Sequence, residues 1–188
     1  AGHSLTASAA ALMRFLSANH DNSSLQVNDP FAVHFTFPEH HQFPPAKIVQ
    51  AYEQRFPGIF GHVVARTKVY DQIFRELLPE VEQVVILGAG MDCRAYRLQE
   101  LRSPALMVFE VDTPWTQAEK KDALQAMKAD ADHVKFVPVD FEHDSLELQL
   151  LAAGFRGDKK TLFLWEFVTA YLTSEAVAGT LASIRKLS

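Results

Sequence analysis

Short apolar segments that alternate with helix-sized stretches constrain the fold of this 188-residue chain more than any other feature. Their length and their content of valine, leucine, isoleucine and phenylalanine are typical of parallel strands buried on both faces. The predicted strands span 82–87, 106–111, 134–139 and 161–165. A short helix is predicted after the first strand, ending at about Leu101. Further helices are predicted from Pro114 to about Ala129, from Ser145 to Ala153, and over 174–186. The pattern therefore predicts an α/β fold with a doubly wound parallel sheet and right-handed crossovers.

The first 80 residues follow a helical pattern instead. Apolar spacing predicts helices over 5–16, near 46–56 and over 63–78. We expect 1–80 to be a helical extension that contributes to the ligand site and 81–188 to be the sheet core, together one structural domain. The apolar strand at 161–165 would lie at a sheet edge, where its backbone is unpaired. We therefore expect further strands, a fold truncated after the fourth strand and its helix, and a homo-oligomer formed through that edge.

A glycine turn follows the first strand. The run Val84–Leu87 leads into Gly88 and Gly90, which would let backbone approach a ligand at the edge where open α/β sheets bind them. The dinucleotide fingerprint requires a third glycine where Cys93 stands, and Asp92 would repel a pyrophosphate at the helix N-terminus. The turn therefore favours a cofactor without phosphates. An NAD-dependent oxidoreductase remains an alternative, as does an ordinary strand-to-helix turn.

The second predicted strand ends in acidic residues about twenty positions after the glycines. Glu110 and Asp112 stand at the spacing at which a carboxylate accepts hydrogen bonds from both hydroxyls of a ribose. The alternative is that these acids cap the helix that begins at Thr113-Pro114, because proline favours the first helical position. A short polar cap alone does not require two acids, so the spacing favours a nucleoside-type ligand.

Composition excludes several classes of partner and site. The net charge of −5 and pI near 5.9, without a lysine and arginine cluster, argue against nucleic acid or an anionic membrane. The single cysteine excludes an internal disulfide, and no apolar run approaches the ~20 residues needed to span a bilayer. We therefore predict a cytoplasmic location. No metal is expected, because the spacing does not suit zinc at His34, His40, His41 and His62.

Four segments follow one another along the chain, at 65–67, 87–94, 109–114 and 165–173. Together they resemble the leucine carboxyl methyltransferase family, which includes polyketide O-methyltransferases and uncharacterised bacterial members. The family pattern is close to Gly-Ala-Gly-x-Asp-Thr-Arg, then Glu-Val-Asp, then Glu-Gly-x-x-x-Tyr-Leu. Order and spacing together make the match specific. The resemblance covers almost the whole chain, including Asn28 to Ala32.

The resemblance implies that the chain binds S-adenosylmethionine and its product S-adenosylhomocysteine. It assigns seven cofactor-binding residues: Arg66, Gly88, Gly90, Asp112, Asp140, Phe141 and Glu166. Arg66 would bind the methionine carboxylate, the two glycines would pass close to the methionine part and the ribose, and Asp112 would hold the ribose hydroxyls. Asp140 and the backbone of Phe141 would read the adenine amine, and Glu166 would lie near the amino group.

Each of these side chains also has a simpler interpretation. Without the resemblance, Arg66 is a solvated charge on a helix face, and Asp140 is an acid near a helix start. Tyr171 follows the fourth strand, and core packing is a better explanation of it than catalysis. Cys93 stands where the family has threonine, and we interpret it as a small packed residue, not a nucleophile.

The function implied is methyl transfer to oxygen, on a carboxylate or hydroxyl. The acceptor would be a small molecule, with the C-terminal carboxylate of a protein as a second choice. A carboxylate acceptor needs no general base, whereas a phenol or alcohol does, so catalytic residues stay unassigned. The competing hypothesis is a truncated homologue that binds the cofactor without turnover.

Overall fold

The computed structural model describes residues 5–18 and 20–188. The chain forms two compact units. The first comprises Ala1–Glu76 and Met91–Arg97, and the second comprises Leu77–Gly90 and Leu98–Ser188. The segment that follows the glycine turn thus belongs to the unit built from the N-terminal helices, although it lies between two strands in sequence.

The second unit contains a parallel sheet of four strands. They are β1 Gln83–Leu87, β2 Met107–Asp112, β3 Val134–Pro138 and β4 Thr161–Trp165, in the order β3-β2-β1-β4. β1 pairs with both β2 and β4, so that Leu87 lies opposite Val111 on one side and Trp165 on the other. The predicted α/β fold with a parallel sheet and N-terminal helices is confirmed, and β4 lies at a sheet edge as expected.

Seven α-helices are assigned within the described residues. They are α1 Leu5–Ser17, α2 Pro45–Arg55, α3 Ile59–Leu77, α4 Arg94–Arg97, α5 Pro114–Ala126, α6 Leu146–Ala152 and α7 Ser174–Leu187. Three helix bounds differ from the prediction by three residues or more, and α4 is one of them, since it ends at Arg97 and not near Leu101. α3 begins four residues before the predicted 63, because the Glu53 carboxylate accepts the backbone N–H groups of Gly58 and Phe60 and so caps its start. α5 ends three residues early, since Lys128 adopts a left-handed φ of 53° that terminates a helix.

The burial of the strands explains why they could be predicted from apolar runs in the sequence. All five residues of β1 are buried, as a central strand covered on both faces requires. β4 is mostly half-buried, which agrees with its edge position. The apolar core of this unit consists of Val85, Leu87, Phe109, Val111, Val137, Val139, Leu146, Leu150, Phe155 and Leu187.

The first unit has its own apolar core, formed by side chains of its three longer helices and the loop between α1 and α2. Its members are Leu12, Met13, Leu16, Val27, Ile48, Phe60, Val63 and Val64. Among the described residues of both units, no helix combines the length and the apolar character needed to cross a membrane.

Candidate functional site

The glycine turn lies directly after β1, at the carboxyl end of the sheet. Gly88 and Gly90 both have positive φ, 62° and 42°, a conformation that L side chains rarely adopt. A Cβ added at Gly88 would lie 2.3 Å from Cγ2 of Val168, so this position has no room for a side chain. The N–H of Ala89 donates to the carbonyl of Val111 at 2.9 Å and joins the turn to the end of β2.

Asp112 ends β2 and binds the glycine turn directly. Its Oδ2 accepts the Gly90 N–H at 2.6 Å, and its Oδ1 accepts the N–H of Thr113 at 2.7 Å. The side chain is half-buried, and an ionised carboxylate offers about four acceptor positions. The hydroxyl of Thr113, 3.3 Å from Oδ1, is a third donor, so about one acceptor position remains for a further hydroxyl group. A ribose hydroxyl is a donor of this kind.

Glu110, the other acid of β2, has a different environment. Its carboxylate forms an ion pair with Lys120 of α5 at 2.7 Å, and both side chains are only 1% exposed. The proposal that Glu110 caps α5 is therefore wrong, since the residue at the cap position is Thr113. Capping accounts for only part of the contacts of Asp112, because its carboxylate accepts the N–H of Thr113 at the helix start and also the Gly90 N–H of the glycine turn.

Asp140 and Phe141 follow β3, which neighbours β2. Asp140 organises a local turn, in which its Oδ1 accepts the N–H of Glu142 at 3.0 Å and its Oδ2 lies 3.2 Å from Nδ1 of His143. The helix-start interpretation of Asp140 is wrong, because Ser145 caps α6 by accepting from Leu148. Phe141 is half-buried and stacks on Trp165, with ring centroids 6.4 Å apart.

Glu166 directly follows β4 and is partly exposed. After it, Phe167 adopts a left-handed φ of 59°, at the position where the family pattern has glycine. Tyr171 is 56% exposed and meets Phe167 edge-to-face, with ring centroids 6.1 Å apart. The expectation that Tyr171 packs in the core is therefore wrong, because the turn after β4 presents its ring to solvent. Among the described residues, the buried indole N–H of Trp165 has no hydrogen-bond acceptor.

Arg66 lies on α3 in the first unit. It is partly exposed, and its Nη1 lies 3.3 Å from Nε2 of His62, one helical turn earlier. The next residue, Thr67, is buried and donates its hydroxyl to the carbonyl of Val63 at 2.8 Å. The other six predicted residues therefore lie at the carboxyl ends of the strands in the second unit, whereas Arg66 belongs to the first unit.

The sequence interpretation missed a group of buried charged residues in the first unit, which we name the buried ion cluster. Its members are Arg14, Asp29, Asp71, Asp92, Arg94 and Arg97. A signal for it existed in the sequence. The buried face of α3 contains Phe60, Val63, Val64, Thr67, Asp71 and Phe74 at helical spacing. A carboxylate among these residues requires a buried partner.

Arg14 joins three parts of this cluster. Its Nε lies 2.8 Å from Oδ2 of Asp29, and its Nη2 donates to the carbonyl of Met91 at 2.6 Å. Burial lowers the pKa of Arg14, but the electrostatic influence of Cys93, Asp29 and Asp92 outweighs burial and raises that pKa above its ordinary value. Arg14 therefore stays charged.

Cys93 and Asp92 both lie in the segment after the glycine turn. Cys93 is 1% exposed, and its Sγ lies 3.7 Å from Nη2 of Arg14. Its interpretation as a small packed residue is confirmed. The Oδ1 of Asp92 accepts the N–H of Arg94 at 2.6 Å, and its Oδ2 pairs with the Arg94 guanidinium. A carboxylate therefore occupies the start of α4, where a pyrophosphate would otherwise bind.

Residues 7–185 match the family model described as leucine carboxyl methyltransferase. The chain belongs to this family. The match includes both units, so the helical N-terminal region is as much a part of the leucine carboxyl methyltransferase pattern as the sheet is. The resemblance expected from the four short segments is confirmed.

Relatives within this family carry similar names. The chain is 37% identical over 123 residues to the “Putative S-adenosyl-L-methionine-dependent methyltransferase YktD” of Bacillus subtilis (strain 168), covering 64% of this chain and 40% of that protein. It is 38% identical over 130 residues to a “Putative S-adenosyl-L-methionine-dependent methyltransferase” of Mycobacterium sp. (strain JLS), covering 67% and 41%. A protein of that name from Mycobacteroides abscessus is 30% identical over 164 residues, covering 80% and 51%. The chain thus spans about half the length of the curated relatives it matches, or less.

Proposed function

We propose that this chain forms the cofactor-binding part of an S-adenosylmethionine-dependent O-methyltransferase. The observation that carries the proposal is the hydrogen bond between the Gly90 N–H and the Asp112 carboxylate, at the adjoining ends of β1 and β2. This contact joins Asp112, the acid that we propose for ribose binding, to a turn that has no room for a side chain at Gly88. Membership of the leucine carboxyl methyltransferase family supports the choice of cofactor.

The bound cofactor would supply an electrophilic methyl group, and the protein would supply alignment and exclusion of water. Asp112 would hold the ribose, and its carboxylate has about one acceptor position left for a ribose hydroxyl beside its three protein donors. Glu166 would pair with the amino group of the methionine part, and Arg66 with its carboxylate. Asp140 and the Phe141 backbone would bind the adenine amine. The last three assignments rest on the family pattern.

The start of α4 supports a cofactor without phosphates. Asp92 places its carboxylate on the N–H of Arg94, which is the group that a pyrophosphate would need. The position of the third glycine in the dinucleotide fingerprint is occupied by Cys93, which is buried. Both observations favour the methyltransferase over an NAD-dependent oxidoreductase.

The acceptor that we propose is a carboxylate or hydroxyl of a small molecule, with a protein C-terminal carboxylate as the second candidate. A carboxylate is already a nucleophile, so that chemistry asks the protein only for position and a dry site. A homo-oligomer formed through the exposed edge of β4 is the assembly we expect, which light scattering on the purified chain would test.

Calorimetric titration of residues 1–188 with S-adenosylhomocysteine tests the cofactor site. We expect saturable binding that weakens at least about tenfold in Asp112→Asn, because charge-assisted hydrogen bonds to the ribose are lost. The matched control is Asp122→Asn, which removes an exposed carboxylate from α5 and should leave affinity unchanged. A folded protein that binds nothing, or an Asp112→Asn variant that binds normally, would contradict the proposal.

Turnover is tested separately, with isotopically labelled S-adenosylmethionine and a panel of carboxylic acids and phenols. Transfer of label to one of these acceptors is expected if the chain is active. Binding of S-adenosylhomocysteine without transfer to any acceptor in the panel would favour the homologue that binds the cofactor without turnover.

A further inference from the structure

Asp71 binds two arginines that follow the glycine turn in the chain. Its Oδ1 accepts Nε of Arg94 at 3.0 Å and Nη2 of Arg97 at 2.7 Å, and its Oδ2 accepts Nη1 of Arg97 at 2.6 Å. The two parallel bonds from Arg97 are bidentate, so they fix orientation as well as distance. One carboxylate of α3 thereby binds the segment Met91–Arg97 through three hydrogen bonds from two arginines.

Stability alone is a weak reason for this arrangement. The side chains of Asp71, Arg94 and Arg97 are 8%, 4% and 5% exposed, so all three charges are removed from water. The desolvation penalty of buried ions can exceed their attraction, and apolar side chains of similar volume often stabilise a protein as well or better. The directional geometry of the cluster is what apolar packing would not provide.

Helix α3 carries both Asp71 and the proposed cofactor residue Arg66. The two positions are five residues apart, which is roughly 7.5 Å along the axis and about 140° around it. Asp71 therefore lies on the buried face, and Arg66 lies on a partly exposed one. Because a helix with buried contacts moves as a rigid body, the Asp71 contacts set the position of the Arg66 backbone.

We propose that Asp71 is a positioning residue for recognition of the methionine carboxylate. It fixes α3, and with it Arg66, relative to the segment that continues the glycine turn. In this role Asp71 binds the two arginines, and it acts on the ligand through Arg66. The inference rests on the proposed function, since that proposal assigns the carboxylate contact to Arg66.

Two ligands separate this role from a general structural one. S-adenosylhomocysteine carries the carboxylate, whereas 5′-methylthioadenosine has the same nucleoside and sulfur but lacks both the carboxylate and the amino group. The comparison with Arg66→Ala assigns the effect to the carboxylate. The variant Asp71→Glu keeps the charge and the ion pairs but moves the carboxylate by one methylene group. By calorimetry we expect it to weaken S-adenosylhomocysteine at least about tenfold and 5′-methylthioadenosine less than about twofold. Arg66→Ala should show the same selectivity.

The matched control is Glu76→Gln, which neutralises an exposed carboxylate of the same helix that accepts from Gln72. It should change neither affinity. If Asp71→Glu does not fold, Arg97→Lys decides the question, because it keeps the charge and removes the bidentate contact. That variant should weaken S-adenosylhomocysteine about threefold with the same selectivity.

Equal weakening of both ligands in the folded variant would overturn the positioning role, and so would an unchanged affinity for S-adenosylhomocysteine. Wild-type protein that binds neither ligand would instead overturn the proposed function, and this inference with it. Wild-type protein that binds both, with no selective loss in the variants, would overturn the inference alone.

Discussion

The two compact units are stabilised by different interactions. The first contains the buried ion cluster, in which Asp29 and Asp71 each face two guanidinium groups. The second is built on an apolar sheet, which also contains the buried ion pair Glu110–Lys120. Apolar burial has no direction, whereas hydrogen-bonded ions fix distance and angle. The sheet therefore requires apolar side chains of the right size at alternating or continuous positions. The helical unit requires, in addition, specific pairs of oppositely charged side chains.

The largest expected effect comes from removing a carboxylate of the ion cluster. Asp29 is fully buried and accepts Nε of Arg14 at 2.8 Å, together with the backbone N–H groups of Phe31 and Ala32. Asp29→Ala leaves a buried guanidinium uncompensated, and it should lower the free energy of unfolding by about 3–5 kcal/mol. Urea denaturation followed by circular dichroism measures this loss.

The control for that prediction is Asp130→Ala, which breaks the exposed pair with Arg102 at 2.5 Å. Asp130 is 59% exposed, so its loss should lower the free energy of unfolding by less than about 1 kcal/mol. Similar losses in the two variants would show that burial of charge does not distinguish the first unit.

An intermediate effect is expected at the glycine turn, where volume is the constraint. Gly88→Ala introduces a Cβ 2.3 Å from Val168 and keeps a φ of 62°, so it should lower the free energy of unfolding by about 2–3 kcal/mol. Adding Val168→Ala should return about 1 kcal/mol, because the two Cγ atoms are removed. The loss of unfolding free energy that Val168→Ala does not restore measures the cost of the left-handed backbone conformation at position 88. Additive losses in the double variant would contradict the contact.

The smallest effect is expected when the buried pair of the sheet is replaced as a whole. Glu110→Leu with Lys120→Met substitutes apolar side chains for both ions, and the free energy of unfolding should stay within about 1 kcal/mol of wild type or rise. Glu110→Leu alone should be strongly destabilising, since it leaves the Lys120 ammonium buried without its carboxylate. A large loss in the double variant would mean that the sheet also depends on directional ion contacts.

Much of the sheet could be predicted from the sequence, because buried parallel strands leave continuous apolar runs. β4 was predicted with its observed bounds, and the turn at Gly88 and Gly90 was located from its glycines. Asp112 was selected by spacing, and the structure joins it to Gly90. Glu110 stands two residues earlier with the same charge, and spacing did not separate their roles. Strand alternation places both side chains on the same face of β2. Only the tertiary structure shows that Glu110 pairs with Lys120, whereas Asp112, at the end of the strand, accepts from the glycine turn.

The sequence by itself determined the family, the order of strands and helices along the chain, and the identity of the candidate ligand-binding acids. These properties depend on local pattern and spacing. The tertiary structure alone decided which charges are buried together. Asp29, Asp71 and Arg97 are separated by 26 to 68 positions, and no local periodicity relates them. It also decided that the ring of Tyr171 is exposed. The partner of a charged side chain depends on which residues folding brings close to it. The hydrophobic periodicity of a helix or strand is a property of its own sequence.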